Sequence, residues 1–377
     1  MRVDVLIIGG GPSGAAAAIT LARAGLKVAL VERTAYNTER VGETLPPEIC
    51  APLVQLGVWE RFMSAGHQQT PGIVSCWGSS QPQENDFIFN PYGCGWHIDR
   101  AQFDRMLAMA ACECGAHLFL STRARRCFKG DGPRWIIEAE RDAGSIRFHA
   151  DYIIEAVGRA GGPDRCGPER RHYDHLVGCV AFLKLRRGRT PDELRTVIEA
   201  CPEGWWYSTQ LPKGKLILAF MTDSDLIPAN RDNAMNLLLQ RLQATLLTRR
   251  WLDLYAPPTT FRRYAADSYL RETEVDGRLR TGDSAIAFDP LSSQGVLNAL
   301  VTGQKAAASI LGAQAGSESN RREYFAELES VFQTYLETRL MYYRREQRWP
   351  ESVFWRRRHN AQPELLDPSV QVRYDFE

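Results

Sequence analysis

The stretch VDVLIIGGGPSGAAAAITLARAGLKVALVER, residues 3–33, constrains this chain more than any other. Val3 to Ile8 is an unbroken apolar, β-branched run, the pattern of a strand buried on both faces. Gly9, Gly11 and Gly14 follow with the spacing G-x-G-x-x-G. An alanine-rich helix is predicted over 12–24, opening with Pro12 and Ser13 and stopped by Gly25. A second buried strand over 27–31 ends at Glu32. Gly9 permits a tight turn, Gly11 lets a pyrophosphate approach the backbone, and Gly14 lets the helix lie close on the strand. The helix N-terminus offers free N–H groups to the phosphates. Glu32 can accept both ribose hydroxyls, and its charge disfavours a 2′-phosphate although Arg33 adjoins it. These residues predict a dinucleotide-binding unit in an α/β fold.

The chain has 377 residues, 44% of them hydrophobic, enough for one large core or two joined ones. Its 46 basic and 45 acidic residues argue against a general nucleic-acid binder. No stretch approaches the ~20 apolar residues that span a bilayer. The apolar N-terminal run faintly imitates a signal peptide, but a strand and glycine turn explain it better. The nine cysteines are odd in number and scattered, without metal-ligand spacing. The expectation is a soluble cytoplasmic protein with no metal and no membrane or nucleic-acid partner.

Two later segments extend the pattern. DYIIEAVGRAGG, residues 151–162, reads as a third buried strand ending in a turn at Gly158. GRLRTGDSAIAFDPLSSQGVLNALVTGQKAAASIL, residues 277–311, reads as a strand, a Gly282-Asp283 pair, a proline turn, and a helix starting near Gly295. Together the three segments resemble the flavoprotein family of aromatic hydroxylases, flavin-dependent halogenases and geranylgeranyl reductases. The resemblance implies FAD, with Gly282 and Asp283 at its ribitol or pyrophosphate. The turn through Pro290, Ser293, Gly295 and Val296 would aim a helix N-terminus at the flavin's pyrimidine end. VGETLPPE, residues 41–48, would run along the isoalloxazine, with Gly42, Glu43 and Thr44 against the ring and prolines stiffening the loop. Arg100, opening the helix of GWHIDRAQFDRML, would lie close to the cofactor.

This scheme assigns residues 1–70, 95–170 and 266–315 to an FAD-binding domain of Rossmann-like, aromatic-hydroxylase type. Residues 71–94 and 171–265 alternate short apolar runs with turns and predict an inserted antiparallel sheet, the substrate-binding domain. Its aromatic residues, Trp205, Trp206 and Tyr207 together with Trp96, are candidates for the lining of a substrate pocket. Residues 316–377 form a C-terminal helical tail, rich in arginine and aromatics up to about residue 358 and reading as an unstructured end after Gln362. The tail is either a docking surface or a helix packed back on the FAD domain. No second G-x-G-x-x-G occurs, so an external NAD(P)H-derived reductant must supply electrons.

DFIFNPYGCGWHIDRAQFD, EGWWYSTQLPKGKLILAFMTD, FDPLSSQGVLNAL and YYRREQRWPESVFWRRRH are together similar to a narrower group, the LodB/GoxB-type flavoproteins that mature tryptophylquinone-containing oxidases. That similarity implies hydroxylation of a peptidyl tryptophan in a partner oxidase precursor, with O₂ as co-substrate and a flavin C4a-hydroperoxide as oxygen donor. Halogenation fits less well. No lysine lies between Lys27 and Lys129, and Tyr207 stands where the halogenases' W-x-W-x-I-P segment has its second tryptophan. A hydroxylase of small aromatic metabolites and a non-catalytic FAD-containing maturation chaperone are the alternatives. Glu43 is the candidate proton-handling residue. His97 is the second candidate, against a structural role beside Trp96.

Overall fold

The computed structural model describes residues 1–361 except 131–133, 142–143, 164–170, 272–273, 276 and 318; the end after Gln362 lies outside the described residues. The first strand, Arg2–Ile8, lies at the centre of a parallel sheet, between Val28–Val31 and the long strand Gly144–Glu155. His117–Phe119 extends the sheet beyond Val28–Val31, and Arg278–Arg280 extends it beyond Gly144–Glu155, both parallel. Antiparallel strands Thr122–Lys129 and Trp135–Arg141 are appended to Gly144–Glu155.

Alternation divides the central strand between two cores. Val5 and Ile7 face one core with the helices Pro12–Arg23 and Gly295–Gln314; Leu6 and Ile8 face the other with Trp135, Ile137 and Phe148. The two helices pack closely because small residues line them. A Cβ on Gly303 would stand 2.2 Å from the Ser13 carbonyl oxygen. The predicted helix over 12–24 spans Pro12–Arg23, and the one near Gly295 begins there.

The second large sheet has seven strands, in the order Arg262–Ala265, Leu176–Lys184, Lys215–Asp223, Gly204–Leu211, Thr196–Cys201, Gly72–Cys76 and Gln83–Asp86. All neighbours run antiparallel except Thr196–Cys201 and Gly72–Cys76, which pair in parallel. The sequence reading expected an antiparallel sheet throughout. The parallel pair joins strands more than a hundred residues apart, with no turn between them to fix their sense. Here too alternation separates two faces. Trp205, Tyr207, Ile217, Ala219 and Met221 face one cluster; Trp206, Leu216, Leu218 and Phe220 face the other, beneath the helix Arg231–Gln243.

The C-terminal helix Ser319–Arg345 joins these bodies. Tyr324, Leu328, Phe332 and Leu336, four residues apart, lie in the core of the parallel sheet, while Tyr343 reaches the core of the second sheet. After the break at Pro350 a short helix, Val353–His359, buries Phe354 and Trp355 completely. Trp355, Tyr343 and Trp205 surround Trp77, with ring centroids 5.3, 5.6 and 6.1 Å from it. These tail aromatics are therefore core residues rather than exposed anchors.

Candidate active site

The loop after Ile8 and the two long helices build a continuous wall. The helix at Pro12 has no side-chain cap, so its N-terminus is open to an anion. A Cβ on Gly11 would meet nothing within 4 Å, whereas one on Gly14 would stand 1.9 Å from the Gly9 carbonyl oxygen. The first glycine leaves room for a ligand; the second is demanded by close packing of helix on turn. A Cβ on Gly282 would lie 2.7 Å from Ser13 Oγ and 3.5 Å from the Ala299 side chain. One turn from Ala299, Val296 approaches Gly42, whose own Cβ would lie 3.8 Å from Val296 and 2.4 Å from Arg100 Nη1. The structure thus brings Ser13, Gly282, Val296, Gly42 and Arg100 into one line.

Turns at both ends of this line are held from behind. The Gly282 N–H donates to Thr302 Oγ1 at 3.0 Å. Asp289 anchors the turn before Gly295. Its Oδ1 accepts from the Leu291 N–H at 2.9 Å, and its Oδ2 accepts from Tyr343 Oη at 2.7 Å and Arg339 Nε at 3.3 Å. Within that turn Pro290 opens a single helical turn and Ser293 takes a left-handed conformation, φ 52°. The helix that follows at Gly295 also has no side-chain cap. Gly158 begins the turn after Glu155, and the next residue, Arg159, donates to the carbonyls of Asp267 and Phe288. Arg159 Nε also lies 3.4 Å from Asp283 Oδ2.

Glu32 is buried and well satisfied. Its Oε2 accepts from the Gly10 N–H at 2.9 Å. Its Oε1 accepts from the Thr34 N–H at 3.0 Å, Thr34 Oγ1 at 2.6 Å and Arg40 Nη2 at 2.8 Å. Burial pushes the carboxyl up, but Thr34, Arg40 and the Gly10 N–H outweigh it and hold it below its ordinary value. Arg40 continues to Asp104 Oδ2 at 2.8 Å, and Arg100 Nε meets Asp104 Oδ1 at 3.2 Å. Tyr36 Oη donates to the Gly10 carbonyl at 2.7 Å. Tyr36, Arg40 and Asp104 were not singled out in the sequence, and no local motif marks them. Arg33 is exposed.

Glu43 is as buried as Glu32 and differently treated. Its Oε2 accepts the Gly42 N–H at 2.9 Å, while Oε1 is buried with no hydrogen-bond partner. Burial pushes this carboxyl up to about 7, against its own N–H, Arg100, Gly42 and Tyr207, which pull it down. Arg100 also pins the loop, donating from Nη1 to the carbonyls of Val41 at 2.7 Å and Gly42 at 3.2 Å. Gly42 has φ +95°, a conformation that favours glycine.

Tyr207 reaches this loop from the second sheet. Its Oη lies 2.6 Å from Thr44 Oγ1; burial, and then the neighbouring Glu43 carboxylate, raise the phenol well above its ordinary value, while its hydroxyl, as a donor, favours the ionised Glu43. Beyond Thr44 stand Thr196 and His97. His97 is fully buried, with Nε2 3.0 Å from Thr196 Oγ1 and 2.7 Å from Thr209 Oγ1. Burial lowers it to about 3, so it is a neutral imidazole within a hydroxyl network. The other aromatic candidates lie apart. Trp96 packs edge-on against Phe62 at 5.0 Å, in the core of the parallel sheet. Trp205 donates from Nε1 to Tyr343 Oη at 3.0 Å. Trp206 packs on Phe220 at 4.9 Å, on the opposite face from Trp205 and Tyr207.

This wall, open at Gly11 and bordered by two uncapped helix N-termini, has the form of a dinucleotide site of the flavoprotein kind. Comparison with known proteins points the same way. Residues 2–170 match the FAD binding domain family. The chain is 29% identical over 364 residues to LodB of Marinomonas mediterranea, a putative FAD-dependent oxidoreductase, covering 94% of this chain and 96% of that one. It is 27% identical over 331 residues to a tryptophan 2-halogenase of Chondromyces crocatus, covering 83% of this chain and 62% of that one. Among solved structures, the myxobacterial chondrochloren halogenase CndH shares the fold with a TM-score of 0.85 at 23% identity, over 95% of this chain and 86% of that one. QhpG, a peptidyl tryptophan dihydroxylase essential for tryptophylquinone cofactor biogenesis, shares it with a TM-score of 0.78 at 22% identity, over 95% and 79%. The chain carries an FAD-binding domain and is an FAD-dependent oxidoreductase, similar over most of its length to flavoprotein oxidoreductases and halogenases. Among the described residues no helix is long and apolar enough to cross a membrane.

Proposed function

We propose that this protein is a monooxygenase that hydroxylates a tryptophan side chain of a partner oxidase precursor, during biogenesis of a cysteine tryptophylquinone cofactor. The observation that carries the reading is Glu43, a buried carboxyl with one unpartnered oxygen that ionises near neutrality. Each hydroxylation replaces an arene C–H by C–OH and consumes one O₂ and two electrons; the second oxygen atom leaves as water. The ring therefore gives up one proton and the departing oxygen gains protons. A group poised near pH 7 can do either.

FAD, bound and reduced by an external NAD(P)H-derived donor, supplies the activation of O₂. Gly9, Gly11, Ser13 and Gly14 would hold its pyrophosphate at the first helix, with Gly282 and Asp283 beside them and the helix at Gly295 beyond. Gly42, Glu43 and Thr44 would line the ring. Arg100 fixes that segment through two carbonyls, and the second sheet closes over it through Tyr207, shielding Glu43 from water. In this reading residues 1–70, 95–170 and 266–315 hold the cofactor, and residues 71–94 and 171–265 cover the substrate side. Of the four aromatic candidates, Tyr207 is the one at Glu43.

None of the six lysines is buried, which disfavours a halogen-carrying amine beside the ring. The full-length similarity to LodB and the fold shared with a peptidyl tryptophan dihydroxylase support a protein-borne indole as substrate. All eight described cysteines are free thiols, which supports a reducing cytoplasm. The test is to mix the reduced protein with O₂ and the unmodified partner and to weigh the partner. A gain of one or two oxygen atoms is expected. Binding without a mass change would favour a maturation chaperone. Oxidation of free indoles alone would favour a small-molecule hydroxylase.

A further inference from the structure

The distances around Glu43 point to a role for a residue on the facing sheet. Tyr207 Oη is fixed by its strand, but its hydroxyl hydrogen rotates. Thr44 Oγ1 lies 2.6 Å away. Glu43, whose Oε1 is buried without a donor, is the second acceptor near enough to interact with the same hydroxyl. One O–H can serve one of these acceptors at a time.

We propose that Tyr207 is a positioning residue for Glu43: its hydroxyl donates to Glu43 when that carboxyl is ionised and to Thr44 when it is protonated, and so sets the balance between the two forms. No bond to carbon forms or breaks, and the proton that Glu43 gains or loses is exchanged with the reaction or with solvent.

The hydroxyl chain behind Thr44 makes both states possible. Thr44 Oγ1 lies 3.4 Å from Thr196 Oγ1, which lies 3.0 Å from His97 Nε2. When Tyr207 donates to Thr44, Thr44 can donate onward to Thr196, and Thr196 to an accepting imidazole nitrogen. When Tyr207 turns to Glu43, Thr44 donates to Tyr207 instead. Burial keeps His97 neutral, so it ends the chain without taking the proton of Glu43. The other groups acting on Glu43 are fixed: Arg100 from the helix Arg100–Glu113, its own N–H and the N–H of Gly42. Among these groups only the Tyr207 hydrogen has a choice. A plain packing role for Tyr207 would need its ring and not its hydroxyl.

The inference rests on Glu43 being the proton-handling group, but its test reads the resting holoprotein. It therefore stands or falls apart from the identity of the substrate. The FAD-loaded protein is labelled with [δ-¹³C]glutamate, and the Glu43 carboxyl resonance is assigned by its loss in Glu43→Gln. Its titration is then followed in wild type, Tyr207→Phe and Thr44→Val. Removing the Tyr207 hydroxyl takes a donor from the ionised form, and the midpoint should rise by about one pH unit, the worth of one hydrogen bond. Removing the Thr44 hydroxyl takes away the competing acceptor, and the midpoint should fall. A structural role alone would move both variants in the same direction or neither. Equal midpoints in all three proteins, or shifts of the same sign, overturn the proposal. If Tyr207→Phe does not fold, a rise or no change in Thr44→Val overturns it by itself.

Discussion

Glu32 and Glu43 lie eleven residues apart in sequence, and both are almost wholly buried, yet the fold handles them in opposite ways. Glu32 receives four hydrogen bonds, one from an arginine, and stays ionised below its ordinary range. Glu43 receives one side-chain-directed N–H at Oε2, leaves Oε1 unpartnered and ionises at about 7. Burial is common to the two; the number of donors differs. A buried carboxylate supplied with donors is a structural acceptor, and one deprived of them becomes a proton carrier. On the proposed reading, the contrast gives Glu32 the task of holding the nucleotide loop in shape and Glu43 that of handling a proton.

The sharpest way to break this contrast is Glu43→Gln. The amide keeps the shape and cannot carry a proton, so hydroxylation of the partner should fall by about 10²–10⁴-fold, with loss of any rate limb near pH 7. Retained turnover with an unchanged pH profile would make Glu43 a loop tie and nothing more. Next in size is the effect on folding, where the two glutamates should differ in sign. Glu32→Gln removes the ionised partner of Arg40 and should destabilise the protein at pH 8 by about 2–4 kcal/mol. Glu43 acts in reverse. Burial pushes its folded pKa up to about 7, above the 4.5 of an ordinary glutamate. The folded protein therefore retains a proton that the unfolded chain has released, and stability from this group declines as pH rises from 4.5 to 7. Glu43→Gln should remove that decline and gain roughly 1–3 kcal/mol at pH 8. Denaturant unfolding of both variants at pH 5 and pH 8 measures it. The smallest effect sharpens the geometry. Gly42→Ala must place a side chain at φ +95° and move Arg100 from the loop, so stability should fall by about 1–2 kcal/mol and FAD binding should weaken with it. An unaffected Gly42→Ala would show that Arg100 does not fix the Glu43 loop.

The local parts of this arrangement were legible in the sequence. The strand, glycine turn, helix and Glu32 fall within thirty residues, and each has its own pattern. The Gly282–Asp283 pair and the helix at Gly295 were legible for the same reason. The partners of these residues were not. Arg40 and Asp104 are 64 residues apart, and nothing in either neighbourhood announces their pairing. Burial of Tyr343 and Trp355 depends on Trp77 and Trp205, residues from distant parts of the chain. One signal was present and overlooked. Consecutive residues of a strand face opposite ways, so Trp206 could never share a pocket wall with Trp205 and Tyr207. Tyr207 was read as a wall for substrate; its contact with Thr44 came only with the pairing of the two sheets.

The helix Ser319–Arg345 bears on how a bulky guest enters. It is sewn into one core by Tyr324 through Leu336 and into the other by Tyr343, which also grips Asp289 and Trp205. Swinging the two sheets apart like jaws would tear all of these attachments at once. On the proposed reading, a protein-borne indole would have to reach Glu43 while the two sheets stay clasped together.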